Sequence, residues 1–173
     1  MIEATVKVSL VGLKKFKGVI SEGGPAVTKF LTQWAARYRG FIQLRFSKFS
    51  KGGGDWAPLA ESTILARTKG RGSGKPAILR DKGFLFAALA PPFTSVPGAL
   101  EKYDKLSVEV GYGGPGGYPD SSVTVADIAS FHQVGGGRLP QRKIIVPPDQ
   151  TTLDGMAKDA ERSLNNDAKE MIG

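Results

Sequence analysis

Apolar and polar residues alternate from Ala4 to Leu10: Ala4, Val6, Val8 and Leu10 fall on one side, Thr5, Lys7 and Ser9 on the other. A period of two predicts a half-buried strand. From Pro25 the period changes. Val27, Phe30, Leu31, Trp34, Tyr38, Phe41 and Ile42 recur at helical spacing, which predicts an amphipathic helix running to about Phe49. Pro25 suits its first turn. Gly40 inside it costs about 1 kcal/mol relative to Ala, which the broad aromatic face can offset on burial. Short helices are expected from about Ala60 to Thr68 and from about Lys82 to Leu89, the second stopped by Pro91 and Pro92. Lys105 to Tyr112 alternates again and predicts a strand with Leu106, Val108 and Val110 inward. A short helix or turn is expected over Val123 to His132 and a strand over Arg142 to Val146. A final amphipathic helix is expected from about Thr151 to Ile172, carried by Leu153, Met156, Ala157, Ala160, Leu164 and Met171.

This order predicts an α+β fold: a small, mostly antiparallel sheet packed with a long N-terminal amphipathic helix and a C-terminal helix, joined by long Gly-rich loops. No repeat or dividing linker interrupts it, so residues 1–173 read as a single domain. Flexible loops are expected at about 50–55, 69–77 and 113–121. Glycine (23) and proline (11) are numerous and aperiodic, which suits long irregular segments between ordered elements.

Charge and composition narrow the chemistry. The chain has no cysteine, which removes disulfides, zinc–thiolate sites and cysteine nucleophiles. The N-terminus lacks a signal-peptide pattern and no apolar run is long enough to span a bilayer, so synthesis in the cytoplasm as a soluble chain is expected. The net charge is +8 and uneven: residues 1–82 carry +11 and residues 83–173 carry −3. Such asymmetry can steer nucleic acid or drive head-to-tail association of identical subunits.

The candidate catalytic patterns fail on spacing. A phosphate loop around Gly74 and Lys75 would need Gly at position 69 and Ser or Thr at position 76, where Lys69 and Pro76 stand. His132 is the only histidine, and no nucleophile elbow accompanies it. The carboxylates are dispersed, with no pair placed for acid–base work. No enzymatic activity, cofactor or metal is therefore expected. Arg67, Lys69, Arg71 and Lys75 form a basic loop that could face phosphates or a neighbouring subunit, although no aromatics are interleaved for base stacking.

Several segments together carry a resemblance. They are DWAPLAEST at Asp55 to Thr63, ILRDKGFL at Ile78 to Leu85, a Val-rich strand ending in VGY, ASFHQVG at Ala129 to Gly135, and LPQRK at Leu139 to Lys143 before the last helix. In this order the chain resembles the phage virion morphogenesis family, the tail-completion or neck proteins of Mu-like and P2-like phages, and is similar to the siphophage neck proteins. Lys82 stands where the family usually has Thr.

The resemblance implies a structural protein of the virion, working at the neck or head-proximal tail as a homo-oligomeric ring, hexamer or dodecamer. Its neighbours would be head-closure or connector proteins and tail-terminator or tail-tube proteins, with non-specific contact to packaged DNA. A tail-terminator ring capping the tube is the alternative within that class; a basic DNA-binding module is the alternative outside it. Structural anchors are expected at Trp56, Leu59, Leu85, His132, Gln133, Pro140 and Arg142. Trp56 and Leu59 would seat their loop on the long helix. His132 and Gln133 would bond backbone near Gly135, and Arg142 would pair with an acidic group.

Overall fold

The computed structural model of the chain describes residues 4–9, 24–70, 76–89, 96–114, 116–118 and 121–172. Its elements are β1 (Ala4–Ser9), α1 (Pro25–Phe49), α2 (Glu61–Thr68), α3 (Phe84–Ala87), β2 (Ala99–Asp104), β3 (Ser107–Tyr112), α4 (Val125–Val134) and α5 (Gln150–Ile172). This is the α+β class. The sheet is three-stranded and antiparallel, in the order β1-β3-β2. β3 is central, pairing Val108 with Val8 and Tyr103, and Val110 with Val6 and Glu101.

The long helix builds the core because its apolar period matches the helical turn. Val27, Leu31, Trp34, Tyr38, Ile42 and Phe46 are buried along one stripe. They meet Val108, Val110 and Tyr112 of β3, Leu85 and Leu89 from the α3 region, and Val125 and Ala129 of α4. Trp34 stacks on Tyr38 with ring centroids 5.3 Å apart. Phe46 meets the edge of Trp56 at 5.0 Å, and Phe49 meets the same indole at 5.8 Å. Arg39 is also buried on this helix and pairs with Glu101 of β2, tying α1 to the sheet edge. Burial lowers the Arg39 pKa to about 10, so the guanidinium stays charged at neutral pH.

α4 carries the clearest local signal. Thr124 caps it reciprocally: its hydroxyl accepts from the Asp127 amide while the Asp127 carboxylate accepts from the Thr124 amide. α5 packs on α1 through Met156, the described apolar side chain it buries, and through the Asp159–Arg37 pair.

The structure departs from the expected elements at two places. Residues 99–104 (ALEKYD) form a strand that alternation does not reveal, because Glu101 and Lys102 interrupt any apolar face. Residues 142–146 form no strand, and the chain bends at Ile145; side chains from elsewhere take their backbone groups instead. Described residues of the run after β3 make backbone hydrogen bonds to other segments. Gly113 N–H donates to Gly98, Gly116 C=O accepts from Val125, and Tyr118 N–H donates to Val123.

Candidate functional site: a cationic cleft where the sequence motifs meet

The segments singled out in the sequence converge on the stretch from Gln141 to Val146. The Trp56 indole N–H donates to the Lys143 carbonyl at 3.1 Å. The Arg142 guanidinium donates through Nε to Ala57 O and through Nη2 to Pro58 O, both at 2.9 Å. The Arg142 main-chain N–H donates to His132 O at 2.7 Å. Gln133 brackets the next two residues: its Oε1 accepts from the amides of Ile144 and Ile145 at 2.9 and 3.0 Å, and its Nε2 donates to Ile145 O at 2.7 Å. The Tyr38 hydroxyl donates to Val146 O at 3.0 Å. Side-chain amide, indole and hydroxyl groups of Gln133, Trp56 and Tyr38 thus take the place of a partner strand, satisfying backbone groups that are costly to bury unpaired.

The anchors fall in different places. Trp56 is buried against Phe46 and Phe49 of α1, and Leu59 packs at the core's edge. Leu85 is buried, and its carbonyl accepts from the Tyr112 hydroxyl at 2.6 Å. Pro140 is exposed. Two expected pairings are replaced. Arg142 bonds backbone carbonyls rather than an acidic group, and no carboxylate among the described residues pairs with it. Gln133 reaches Ile144 and Ile145 rather than the Gly135 turn, while the buried Nδ1 of His132 has no hydrogen-bond partner among the described residues.

Beside this junction lies a cleft of about 190 Å³. Leu59, Leu79, Phe84, Leu85 and Ile128 give it apolar lining, and Arg67, Asp81, Lys82, Tyr118, His132 and Arg142 supply polar groups. Arg67 comes from the end of α2, where it donates to Ala77 O at 2.7 Å and lies 3.6 Å from Asp81. Lys82 sits over the Tyr118 ring at 5.7 Å. Leu79 holds a left-handed backbone, φ +57°, although it has a branched side chain and is buried. Such a conformation costs on the order of 1–3 kcal/mol and persists where the surroundings impose it.

Among the described residues three cations share the lining with one carboxylate, which makes this part of the cleft positive. Burial, then the Arg142 and Arg67 charges, depress His132 to about 4, leaving the imidazole neutral at pH 7. Arg142 is also lowered, first by burial and then by Arg67. The Tyr118 phenol is raised, mainly by burial and by Asp81. The arrangement can hold negative charge. Among the described residues no serine, threonine or cysteine stands in the lining beside the imidazole. Among the described residues no three His, Asp or Glu side chains approach closely enough to hold a metal ion.

The basic loop divides. Arg67 turns into the cleft, Lys69 is exposed at the α2 C-terminus, and Arg71 and Lys75 lie outside the described residues. Sequence spacing did not bring Asp81, Lys82 and Tyr118 to His132, because no periodic pattern links these loop positions. The one available signal was the motif order itself. No family model, curated protein or solved structure matches the chain.

Proposed function

We propose that this chain is a structural subunit of a tailed bacteriophage particle, placed at the neck or head-proximal tail and working as a ring of identical copies. The observation that supports this most is where the apolar surface lies. Phe131 and Val134, spaced i, i+3 on the last turns of α4, are 45% and 67% exposed. α2 buries none of its residues and leaves Ile64 and Leu65 at the surface. Leu44 on α1 is 71% exposed. Exposed apolar groups on several peripheral elements suit contacts with other protein chains.

The motifs that carry the phage resemblance bond one another and use their polar groups on backbone. That is how a structural scaffold uses such residues, and it leaves the periphery to make contacts. A heterologous contact that closes on itself produces a ring, and the basic N-terminal half and acidic C-terminal half favour head-to-tail order. Head-closure or connector proteins on one side and tail-terminator or tail-tube proteins on the other complete the proposed surroundings.

Sedimentation of the purified chain, with and without duplex DNA and at low and high salt, tests the reading. Self-association that persists at high salt supports a ring subunit. A monomer that binds DNA with steep salt dependence contradicts it and supports a basic DNA-binding module instead.

A further inference from the structure

We infer that the cleft between α2, α4 and the Arg142 stretch is a carboxylate-binding site, taking a carboxyl group carried on a short apolar stem. The inference does not depend on the phage reading. Its first support is Arg142, which is only 4% exposed. Ala57 O and Pro58 O take two of its five N–H donors, and among the described residues no carboxylate is hydrogen-bonded or ion-paired to it, Asp81 of the same cleft pairing with Arg67. A buried cation without a counter-charge is costly, and a carboxylate offers the planar, two-oxygen partner that a guanidinium fork matches.

The second support is the composition of the cleft. Arg67 and Lys82 add positive charge from α2 and from the turn before α3, and among the described residues Asp81 is the one carboxylate in the lining. Leu59, Leu85 and Ile128 supply apolar contact beside them. The volume, about 190 Å³, falls below the roughly 300–1,000 Å³ of sites for drug-sized ligands, and suits a group the size of one side chain. The third support is the left-handed Leu79 in the wall, a strained residue of the kind that collects at ligand sites. The recess also disfavours a duplex phosphate, since a rod cannot reach a guanidinium this buried, whereas a protruding side chain or a small acid can.

The single histidine makes the test direct, because His132 gives the only imidazole signal in the NMR spectrum. Charged and titratable groups facing it in the cleft are Arg67 of α2, Asp81, Lys82, Tyr118 and Arg142. The imidazole protons are followed between about pH 4 and pH 7 in the wild-type chain, alone and with each of three probes. The probes are butanoate, a capped peptide with one central glutamate beside its glutamine counterpart, and inorganic phosphate.

A saturable shift of the His132 signals, with its titration midpoint moving upward, is expected for butanoate, for the glutamate peptide, or for both. Butanoate alone identifies a free small acid as the source. A glutamate peptide binding about tenfold more tightly than butanoate, with the glutamine peptide silent, identifies a protein side chain. Arg67→Gln, checked for an unchanged fold by its amide spectrum, should weaken binding about fivefold to tenfold. No shift with either carboxylate, or an equal shift with phosphate, would overturn the inference.

Discussion

Gln133 holds the Arg142–Val146 stretch by three hydrogen bonds to two residues, and those backbone groups have no ladder to fall back on. Gln133→Ala is expected to destabilise the chain by about 2–4 kcal/mol in urea unfolding, as buried amides and a carbonyl lose their partner. Gln133→Glu should not rescue it, because a carboxylate oxygen would face the Ile145 carbonyl where the amide now donates at 2.7 Å. His132 behaves differently. Its pKa falls from 6.5 to about 4 on burial beside Arg142 and Arg67, so protonation favours the unfolded chain. That stability is complete above about pH 6.5, declines as pH falls toward 4, and levels off below it. Denaturant midpoints at pH 7 and pH 5 should differ in the wild type and differ less in His132→Gln. At this scale the sequence showed which residues matter better than what they touch. Arg142 stood out in its motif, but a guanidinium aimed at two carbonyls cannot be told from one aimed at a carboxylate by spacing alone.

Elements with a strong period were legible. α1 occupies the bounds its aromatic stripe predicts, and β3 lies within the stretch whose alternation predicts a strand, although it starts at Ser107 rather than Lys105 and is buried along most of its length. β2 was not legible, since its pairing to β3 decides its conformation and its own side chains alternate poorly. Residues 142–146 failed in the opposite sense: apolar β-branched residues predicted a strand, but side chains rather than a neighbour satisfy the backbone. Glycines separate the two kinds of constraint. A Cβ at Gly40, in mid-helix, meets nothing within 4 Å, so Gly40→Ala should stabilise by about 0.5–1 kcal/mol. A Cβ at Gly116 would fall 2.2 Å from Gly98 N and 2.6 Å from Pro97 Cα, where two loops touch backbone to backbone. Gly116→Ala should therefore destabilise by about 2 kcal/mol or more. Thermal melts of the two variants should move in opposite directions.

For the whole molecule, the interior and the periphery are put to different uses. The motif residues close the junction between α1, α4 and the 142–146 stretch, while apolar side chains remain on α2, the end of α4 and Leu44. Phe131→Glu combined with Val134→Lys should leave monomer stability within about 0.5 kcal/mol, as expected for exposed positions, and should abolish self-association in sedimentation. The cationic cleft was not legible as a unit, because its polar groups come from α2, the turn before α3, the segment after β3, α4 and residue 142. Electron microscopy of phage particles assembled without this chain bears most directly on the proposed role. Filled heads and finished tails that fail to join are the expected result, restored by supplying the chain; normal, infectious virions in its absence would contradict it.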